Sequence, residues 1–342
     1  MIDTPQTSPD RTLVTFALFA YNQEKYIREA VEGAFSQTYE PLEIILSDDC
    51  SSDRTFSIMQ EMAATYTGPH KVKVRRNEIN YGTAFHIDAI ATQCNGSIFV
   101  VAAGDDISSP YRCSSIVKRW KDCKTKVSCI HSGAFFFDEV FGRNEDSRPP
   151  REKSIIHQAK RLEFIMKDKL PFLSPTCAYS TELFKAYPPI IGGSIIEDGV
   201  MAFRSLDFGS VLSINEPLVW IRRQDETSGT GNSILNAYRW NRFILSRIIS
   251  YNNILRDLRS TAMKEDAVAR LQGKYLKKIR HLSHFFIREN YEIRFIYRVF
   301  MLVRYISIYP TSARFLNRVA NGFIVSGFSN PFLFSFLRKL LR

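Results

Sequence analysis

The first hundred residues alternate short apolar runs with amphipathic stretches, and this alternation restricts the fold more than any other feature of the chain. Four apolar runs have the length of a buried strand and lie at residues 13–19, 42–47, 72–74 and 97–102. Three stretches between them space their apolar residues as helices do, at 24–37, 53–66 and 84–94. Strands and helices in this order predict an α/β fold, Rossmann-like, with a mainly parallel sheet flanked by helices on both faces.

Polar or aromatic residues follow three of these predicted strands. Residues 19–22, Phe-Ala-Tyr-Asn, end the first strand, Asp48-Asp49 ends the second, and Asp105-Asp106 follows the fourth. Ligands of such sheets bind beyond the carboxyl ends of the strands. We therefore expect these three segments, which lie far apart in the chain, to gather at one edge of the sheet.

Two carboxylate pairs, each at the end of a predicted strand, indicate a divalent cation. Buried carboxylates are costly unless a cation or hydrogen-bond donors compensate their charge. Mg²⁺ and Mn²⁺ prefer oxygen ligands and often bridge one or two carboxylates to a diphosphate. A single Asp-Asp pair is usually a solvated loop or a helix cap, but two pairs and an aromatic segment at three strand ends fit that explanation poorly.

The rest of the chain is predicted to complete this domain and then to become helical. Helices are predicted at 111–123, 161–187 and 194–206, and a strand at 127–138. Val211 to Ile221 is predicted to be a pair of strands with a turn at residues 215–217. Long helical stretches follow at 233–259 and 261–290. We predict a flexible tail over 1–10, an α/β domain over 11–230, and a basic, aromatic-rich helical region over 231–342.

Positive charge is concentrated in that last region. The formal net charge is +11, and from Ile221 onward Lys and Arg outnumber Asp and Glu about threefold. Arginines alternate with aromatics in the last fifty residues, a pattern suited to an anionic membrane surface. A packed or partner-binding helical face explains it equally well. The uncharged stretch 319–337 is interrupted by Gly, Ser, Asn and Pro, so we do not expect it to cross a membrane.

Two further features concern the compartment. The N-terminus has no basic-then-apolar segment with a small-residue cleavage site, so no secretory signal is expected. The six cysteines form no C-x-x-C pair, and free thiols in a reducing compartment are the expectation. With the basic C-terminal region, these features predict a cytoplasmic protein, peripheral at the inner face of the cell membrane.

The segment FALFAYNQEKYIREAVEGAFSQTYEPLEIILSDDCSSDRT, residues 16–55, resembles the opening of family 2 glycosyltransferases. The family's motif positions are occupied here by Gln37, Tyr39, Glu43, Asp48, Asp49, Ser51, Asp53 and Thr55. Asn80-Tyr81-Gly82, followed by a helix and IFVVAAGDD, resembles the next family block. The resemblance covers about residues 12–225. It implies the GT-A fold and inverting transfer of a sugar from a nucleoside diphosphate sugar.

The resemblance also implies roles at the strand ends. Phe19 and Tyr21 would flank the nucleotide base, with Asn22 in the same nucleotide-sugar-binding turn. Asp49 would accept a hydrogen bond from the base edge. The Asp pair after the fourth strand would divide the remaining roles: Asp105 would face the ribose or sugar, and Asp106 would bind Mg²⁺ or Mn²⁺. Family members often have a further Asp two places before this pair, where this chain has Ala103.

Residues 196–199, Ile-Glu-Asp-Gly, resemble the family's Glu-Asp motif at a helix start, which implies that Asp198 is the general base. Inversion requires the acceptor hydroxyl to lose its proton as it attacks the anomeric carbon, and a nearby carboxylate suits that task. Acidic residues also favour helix N-termini without any catalytic role. Arg222 lies where the family often places a residue near the diphosphate, and Arg binds phosphate through paired hydrogen bonds.

The sequence therefore predicts a glycosyltransferase that uses a nucleoside diphosphate sugar, with a UDP-sugar favoured, and acts on a glycan or lipid-linked acceptor in cell-surface polysaccharide synthesis. A sugar-phosphate nucleotidyltransferase usually has a glycine-rich first loop with Arg or Lys, which residues 19–22 lack. A dehydrogenase would need G-x-G-x-x-G after the first strand. A non-catalytic nucleotide-sugar-binding scaffold stays an alternative. Nucleic acid is not an expected partner.

Overall fold

The computed structural model of the chain describes residues 11–137, 146–148, 155–167, 173–190, 198–222 and 233–289. The chain divides into two compact units, Met1–His284 and Phe285–Arg342. The elements described below belong to the first unit, apart from the last turn of the final helix. The predicted tail over 1–10, the boundary near residue 230 and the chain from 290 onward lie outside the described residues and stay predictions.

Four parallel strands form the first half of the sheet, as predicted. They are β1 (Val14–Ala20), β2 (Leu42–Asp48), β3 (Lys71–Arg76) and β4 (Ile98–Ala103), in the order β3-β2-β1-β4. The connecting helices are α1 (Ile27–Phe35), α2 (Thr55–Ala64) and α3 (Thr83–Ala91). Parallel neighbours need crossover connections, and these helices supply them.

The second half of the sheet is mixed. It contains β5 (Ile107–Ser108), β6 (Val127–Phe137), β7 (Asp146–Arg148), β8 (Cys177–Ser180) and β9 (Ser210–Arg222). The order continues β4-β8-β6-β9-β5, with β7 beside β6. Strand β8 is antiparallel to both β4 and β6, whereas β9 is parallel to β6. The sheet as a whole is mixed, with parallel and antiparallel neighbours, and helices connect its strands. The α/β fold class predicted from the sequence is confirmed.

Two local predictions were wrong in part. The helical prediction over 161–187 holds for the short helices α5 (Arg161–Lys167) and α6 (Thr181–Ala186), but the strand β8 lies between them. All four residues of β8 are buried between β4 and β6, and that two-sided pairing outweighs their local preference. Residues 211–221 are one strand, not two: the register against β6 shifts at Pro217, so the expected turn is a bulge.

The remaining helices largely follow the sequence pattern. They are α4 (Arg112–Lys121), α7 (Asp198–Phe208), α8 (Ser233–Asp257) and α9 (Glu265–Glu289). Both long helices predicted after residue 230 are therefore present. Within the described ranges, no helix combines the length and the apolar character that a membrane crossing requires.

The two faces of the sheet carry different helices. Along β1, Phe16 and Leu18 point to one face and Ala17 and Phe19 to the other, as the two-residue period of a strand requires. The first face packs against α1, α2 and α4. The second packs against α3, α6 and α7, with buried residues of α8 and α9 in the same core. Helices α3 and α7, whose N-termini adjoin the predicted site residues, thus share one core.

Candidate functional site

The structure brings the ends of β1, β2 and β4 together, as the sequence predicts. The backbone N–H of Asp49 donates to the carbonyl of Ala20 over 2.9 Å. On the other side of β1, the N–H of Gly104 donates to the carbonyl of Phe19 over 2.8 Å. Three segments far apart in the chain therefore meet at one edge of the sheet.

Asn22 joins the first two of these segments. It lies in the left-handed region, with φ of 52°, which Asn tolerates better than most residues. Its N–H donates to Ser51 Oγ over 2.9 Å, and its Oδ1 accepts the N–H of Ser52 over 2.8 Å. These bonds give the predicted nucleotide-binding Asn22 a clear role in shaping the loop.

Two further motif residues hold the same loops. Thr55 Oγ1 accepts the N–H of Gln23 over 2.7 Å, and Asp53 Oδ2 accepts the N–H of Glu24 over 3.1 Å. Asp53 Oδ1 in turn accepts the Thr55 hydroxyl over 2.6 Å at the start of α2. Asp53 and Thr55 of the motif therefore bind the loop that follows β1 to the loop that follows β2.

Gln37 explains another motif position. Its side chain is 4% exposed, and its Nε2 donates to the carbonyls of Gly33 and Ser109 over 2.9 and 2.8 Å. Its Oε1 accepts the N–H of Cys113 over 3.1 Å. One amide thus satisfies buried backbone groups of α1, α4 and the loop that precedes α4, which positions the segment after Asp106.

The carboxylate of Asp49 orders the loop before α3. It is 3% exposed, and its Oδ1 accepts Asn77 Nδ2 over 2.7 Å and the N–H of Tyr81 over 3.0 Å. Its Oδ2 accepts the N–H of Gly82 over 2.8 Å. A carboxylate has about four acceptor sites, so three bonds leave capacity for one more donor, such as a base N–H.

A buried polar layer lies beneath this loop. Arg75 Nη1 donates to Ser47 Oγ over 2.7 Å, and Ser47 Oγ lies 2.5 Å from His86 Nε2. Burial lowers the pKa of His86 to about 4; the charge of Asp49 opposes this and that of Arg75 adds to it, so the imidazole is neutral near pH 7. The layer gives Asp49 and its loop a rigid base.

The two aromatics predicted to flank a base differ in exposure. Phe19 is buried, and its ring meets that of His86 edge to face at a centroid distance of 4.8 Å. Tyr21 is 47% exposed. In this conformation Tyr21 offers its ring to solvent, while Phe19 supports the polar layer below.

Asp106 lies beside Arg222, the residue that the family resemblance placed near the diphosphate. The N–H of Arg222 donates to Asp106 Oδ1 over 3.0 Å, and its Nε donates to the Asp105 carbonyl over 3.2 Å. The guanidinium pairs with Glu29 of α1 at 3.2 Å and lies over the Tyr26 ring at 4.5 Å. Arg222 thus holds the end of β9 against the Gly-Asp-Asp turn, residues 104–106.

The electrostatics of Asp106 fit a cation site. Burial, and then the neighbouring charge of Asp105, raise the pKa of Asp106 to about 7, while Arg112 and Arg222 oppose the rise. The positive charges near Asp106 therefore do not fully compensate for the burial of its ionised carboxylate. Among the residues described, no group of three or more His, Cys, Asp and Glu side chains is arranged to hold a metal. Asp106 would share a cation with ligand oxygens, as Mg²⁺ sites in proteins often do.

Arg112 is a functional neighbour that sequence reasoning missed. It is fully buried, and its Nη2 donates to the carbonyls of Val101 and Pro175 over 2.8 and 2.7 Å. Its Nη1 donates to Ser108 Oγ over 3.0 Å. No sequence signal marks this residue, because an Arg at the start of an amphipathic helix normally faces solvent.

The turn Ser174–Thr176 contacts one predicted acid, Asp198, and an arginine whose charge acts on the other, Asp106. Its Pro175 carbonyl binds Arg112, which lies near Asp106, and its Ser174 N–H donates to Asp198 Oδ1 over 3.1 Å. Asp198 begins α7 and is half-buried. Burial raises its pKa, partly opposed by the Ser174 N–H and by Arg247. Glu197, the other acid of the motif, lies outside the described residues.

A mixed β-sheet flanked by helices, with carboxylates after β2 and β4, is the fold of GT-A glycosyltransferases, to which this structure is similar. Residues 15–187, half of the chain, match the sequence model of Glycosyl transferase family 2, and the chain belongs to this family. The predicted resemblance is confirmed, and the first unit contains a glycosyltransferase domain.

Relatives and solved structures agree with this family. EpsE of Bacillus subtilis (strain 168), which is named as a glycosyltransferase, is 29% identical over 126 residues, 37% of this chain and 44% of EpsE. The chain spans only 37% of the length of the mycobacterial proteins it matches.

The fold agrees with solved glycosyltransferase structures. S. aureus TarS 1–349 in complex with UDP-GlcNAc has a TM-score of 0.55 at 16% identity, covering 78% of this chain and 72% of TarS. The mannosyltransferase PcManGT of Pyrobaculum calidifontis, in complex with GDP-Man and Mn²⁺, has a TM-score of 0.50 at 15% identity. This structural match covers 97% of this chain and 85% of PcManGT.

Proposed function

We propose that the protein is an inverting glycosyltransferase that moves a sugar from a nucleoside diphosphate sugar to a hydroxyl of a glycan or lipid-linked acceptor. One observation carries the proposal: Arg112 donates to the Val101 carbonyl of β4 and to the Pro175 carbonyl of the turn Ser174–Thr176, which binds Asp198 at the start of α7, and the charge of Arg112 also acts on Asp106. A buried carboxylate for a cation and a second carboxylate for a proton are thus parts of one connected structure.

The donor would lie over the joined ends of β1, β2 and β4. Tyr21 is the exposed aromatic for the base, and Asp49 retains capacity for one donor on the base edge. Asn22 shapes the turn, Phe19 supports it from below, and Asp105 would face the ribose or sugar. Arg222, which already pairs with Glu29, would act near the diphosphate mainly through the Gly-Asp-Asp turn that it holds. A UDP-sugar is the first donor to test, because the TarS structure contains UDP-GlcNAc.

A divalent cation, Mg²⁺ or Mn²⁺, fits Asp106. The raised pKa of this carboxyl reflects burial beside Asp105, and a cation would relieve that cost. When bound, such an ion offsets the negative charge that develops on the leaving diphosphate. The PcManGT structure contains Mn²⁺ together with GDP-Man, which supports a cation of this kind here.

Asp198 would act as the general base. The acceptor oxygen forms its bond to the anomeric carbon as the bond from that carbon to the diphosphate breaks, and the hydroxyl proton passes to Asp198. Its half-buried position raises its pKa, which makes it a better proton acceptor than a solvated Asp. The Ser174 N–H on Oδ1 orients the carboxylate, and Oδ2 would be the oxygen that takes the acceptor proton.

Helix α9 supports the membrane part of the proposal. Arg270, Lys277 and Arg280 are exposed at intervals that place them on one side of the helix, and Leu276 beside them is 53% exposed. Each such cation near an anionic surface contributes about 1 kcal/mol. We propose peripheral attachment at the cytoplasmic face of the membrane, where acceptors for cell-surface polysaccharide would be reached. Sedimentation with phosphatidylglycerol vesicles but not phosphatidylcholine vesicles is the expected result.

The chemistry is tested first with a panel of UDP-, GDP- and dTDP-sugars, scored by nucleotide release with Mn²⁺. We expect Asp106→Ala to abolish Mn²⁺-dependent UDP binding in calorimetry as well as turnover. Asp198→Asn should bind UDP normally and lose turnover. Asp122→Asn, at the exposed C-terminus of α4, is the matched control. Wild-type turnover in both site variants would remove the proposed mechanism.

A further inference from the structure

One buried arginine joins three helices behind the candidate site. Arg204 of α7 has no exposed surface, and its Nε donates to Asp257 Oδ2 of α8 over 2.8 Å. Its Nη1 lies 3.3 Å from Asp88 Oδ1 of α3, and its Nη2 donates to the Pro188 carbonyl over 2.6 Å. The planar guanidinium holds three acceptors from separate parts of the chain in one fixed geometry.

Two of these helices begin at the candidate site. Helix α3 follows Gly82, whose N–H binds Asp49, and Asp88 lies six residues further on. Helix α7 begins with Asp198, and Arg204 lies six residues further on. At 1.5 Å per residue, the ion pair lies about 9 Å behind each of the two helix starts. The ion pair therefore links α3, which follows the donor loop 77–82 held by Asp49, to α7, which carries the proposed base.

A purely structural role is the alternative explanation. Buried ion pairs are a weak source of net stability, since desolvation offsets most of their attraction. Burial does raise the pKa of Asp88, and Arg204 is the principal group that opposes the rise. The pair thus keeps a costly charge inside the core, at the contact between α3 and α7. An apolar contact would hold the two helices together without fixing their relative position so narrowly.

We propose that Arg204 is a positioning residue, which sets the place of Asp198 relative to the donor loop held by Asp49. The proposal rests on the proposed function, because it takes Asp198 as the base. A displacement of about 1 Å at a reacting group costs on the order of 100-fold in rate, so small movements of α7 matter. Nucleotide binding, which depends on groups at the strand ends, should be insensitive to such movements.

The test compares Arg204→Lys with Arg256→Lys. Arg256 lies on α8, pairs with Asp257 at 3.0 Å and donates to the carbonyls of Pro188 and Pro189 over 3.1 and 2.8 Å. The two variants therefore make the same chemical change against shared neighbours, but among the described contacts Arg204 hydrogen-bonds to Asp88 of α3, whereas Arg256 acts on Asp88 through its charge. Three quantities are measured for each: the UDP dissociation constant with Mn²⁺, kcat for the nucleotide sugar chosen by the panel, and Tm.

For Arg204→Lys we expect kcat to fall about 10- to 100-fold while the UDP dissociation constant changes less than about threefold. For Arg256→Lys we expect kcat within about twofold of wild type, even if Tm falls equally. Equal kcat losses in the two variants, or wild-type kcat in Arg204→Lys, would overturn the proposal. So would a loss of UDP binding that matches the loss of kcat.

A second variant keeps the test decisive if Arg204→Lys does not fold. Asp88→Ala removes the link to α3 and leaves the Arg204–Asp257 pair in place, and it should show the same selective fall in kcat. Wild-type kcat in Asp88→Ala overturns the proposal. Asp198→Asn is assayed in parallel: if it is fully active, the assignment of the base is wrong, whereas an inactive Asp198→Asn beside an active Asp88→Ala removes only the role of Arg204.

Discussion

Asp49→Asn tests the structural role of this carboxylate in holding the loop before α3. Asp49 Oδ1 accepts two hydrogen bonds, from Asn77 Nδ2 and the Tyr81 N–H, and Oδ2 accepts one, from the Gly82 N–H. An amide has one acceptor oxygen and one donor nitrogen. Whichever way the substituted amide is oriented, its NH₂ group must face at least one buried N–H donor.

The size of the effect follows from these three bonds. The better orientation keeps the oxygen toward Asn77 and Tyr81 and turns the NH₂ toward Gly82. One bond to a charged acceptor, about 1.5–3 kcal/mol, is lost, and the two that remain become bonds between neutral groups. We expect the free energy of unfolding to fall by about 3 kcal/mol, with the shape of the side chain unchanged.

Urea unfolding at pH 7 measures this change, provided that the m-value stays the same. Asp122→Asn removes the same charge at an exposed position and should stay within about 0.5 kcal/mol of wild type. UDP binding with Mn²⁺ should weaken in Asp49→Asn because the loop 77–82 is no longer held. An unchanged urea midpoint would refute the assignment of Asp49 as the residue that orders this loop.

Three other expectations concern single residues. The pKa of His86 is lowered from 6.5 to about 4, so its contribution to stability is complete above pH 6.5 and is lost as the pH falls toward 4, up to roughly 3 kcal/mol. His86→Gln should flatten the pH dependence of urea unfolding over that window, and an equally steep decline contradicts this. Gln37→Leu removes the acceptor of the buried Cys113 N–H, while the Gly33 and Ser109 carbonyls keep Ser36 Oγ and the Arg112 N–H as donors; it should cost about 1–3 kcal/mol in urea unfolding, whereas Gln60→Leu on the exposed side of α2 should be neutral. Gly104→Ala would bring a methyl group within 2.8 Å of Ala20 Cβ. The free energy of unfolding in urea should therefore fall by about 1–3 kcal/mol, and calorimetry should show weaker UDP binding. Wild-type values in both measurements would show that the turn accommodates the methyl group without strain.

The site residues divide into those that pattern reading reaches and those that it does not. The strand ends could be located from sequence because strand and helix periodicities are local, and the carboxyl ends of parallel strands always meet at one edge. The meeting of Ala20, Asp49 and Gly104 follows from that rule. The roles of Arg112 and Arg204 do not, because their acceptors lie on elements far away in the chain.

What the sequence determined by itself is the α/β class, the family and the edge of the sheet at which the polar segments gather. Only the tertiary structure decided that residues 177–180 form a strand, that β9 is continuous, and that Asp49 and Asn22 hold loops. The pairing of a strand with strands on both sides and the burial of charged side chains are long-range effects. The groups that they bring together lie far apart in the sequence, so no short segment of sequence contains both partners. For the same reason, the connection from β4 to Asp198 through a buried arginine and a turn appears only in the folded chain.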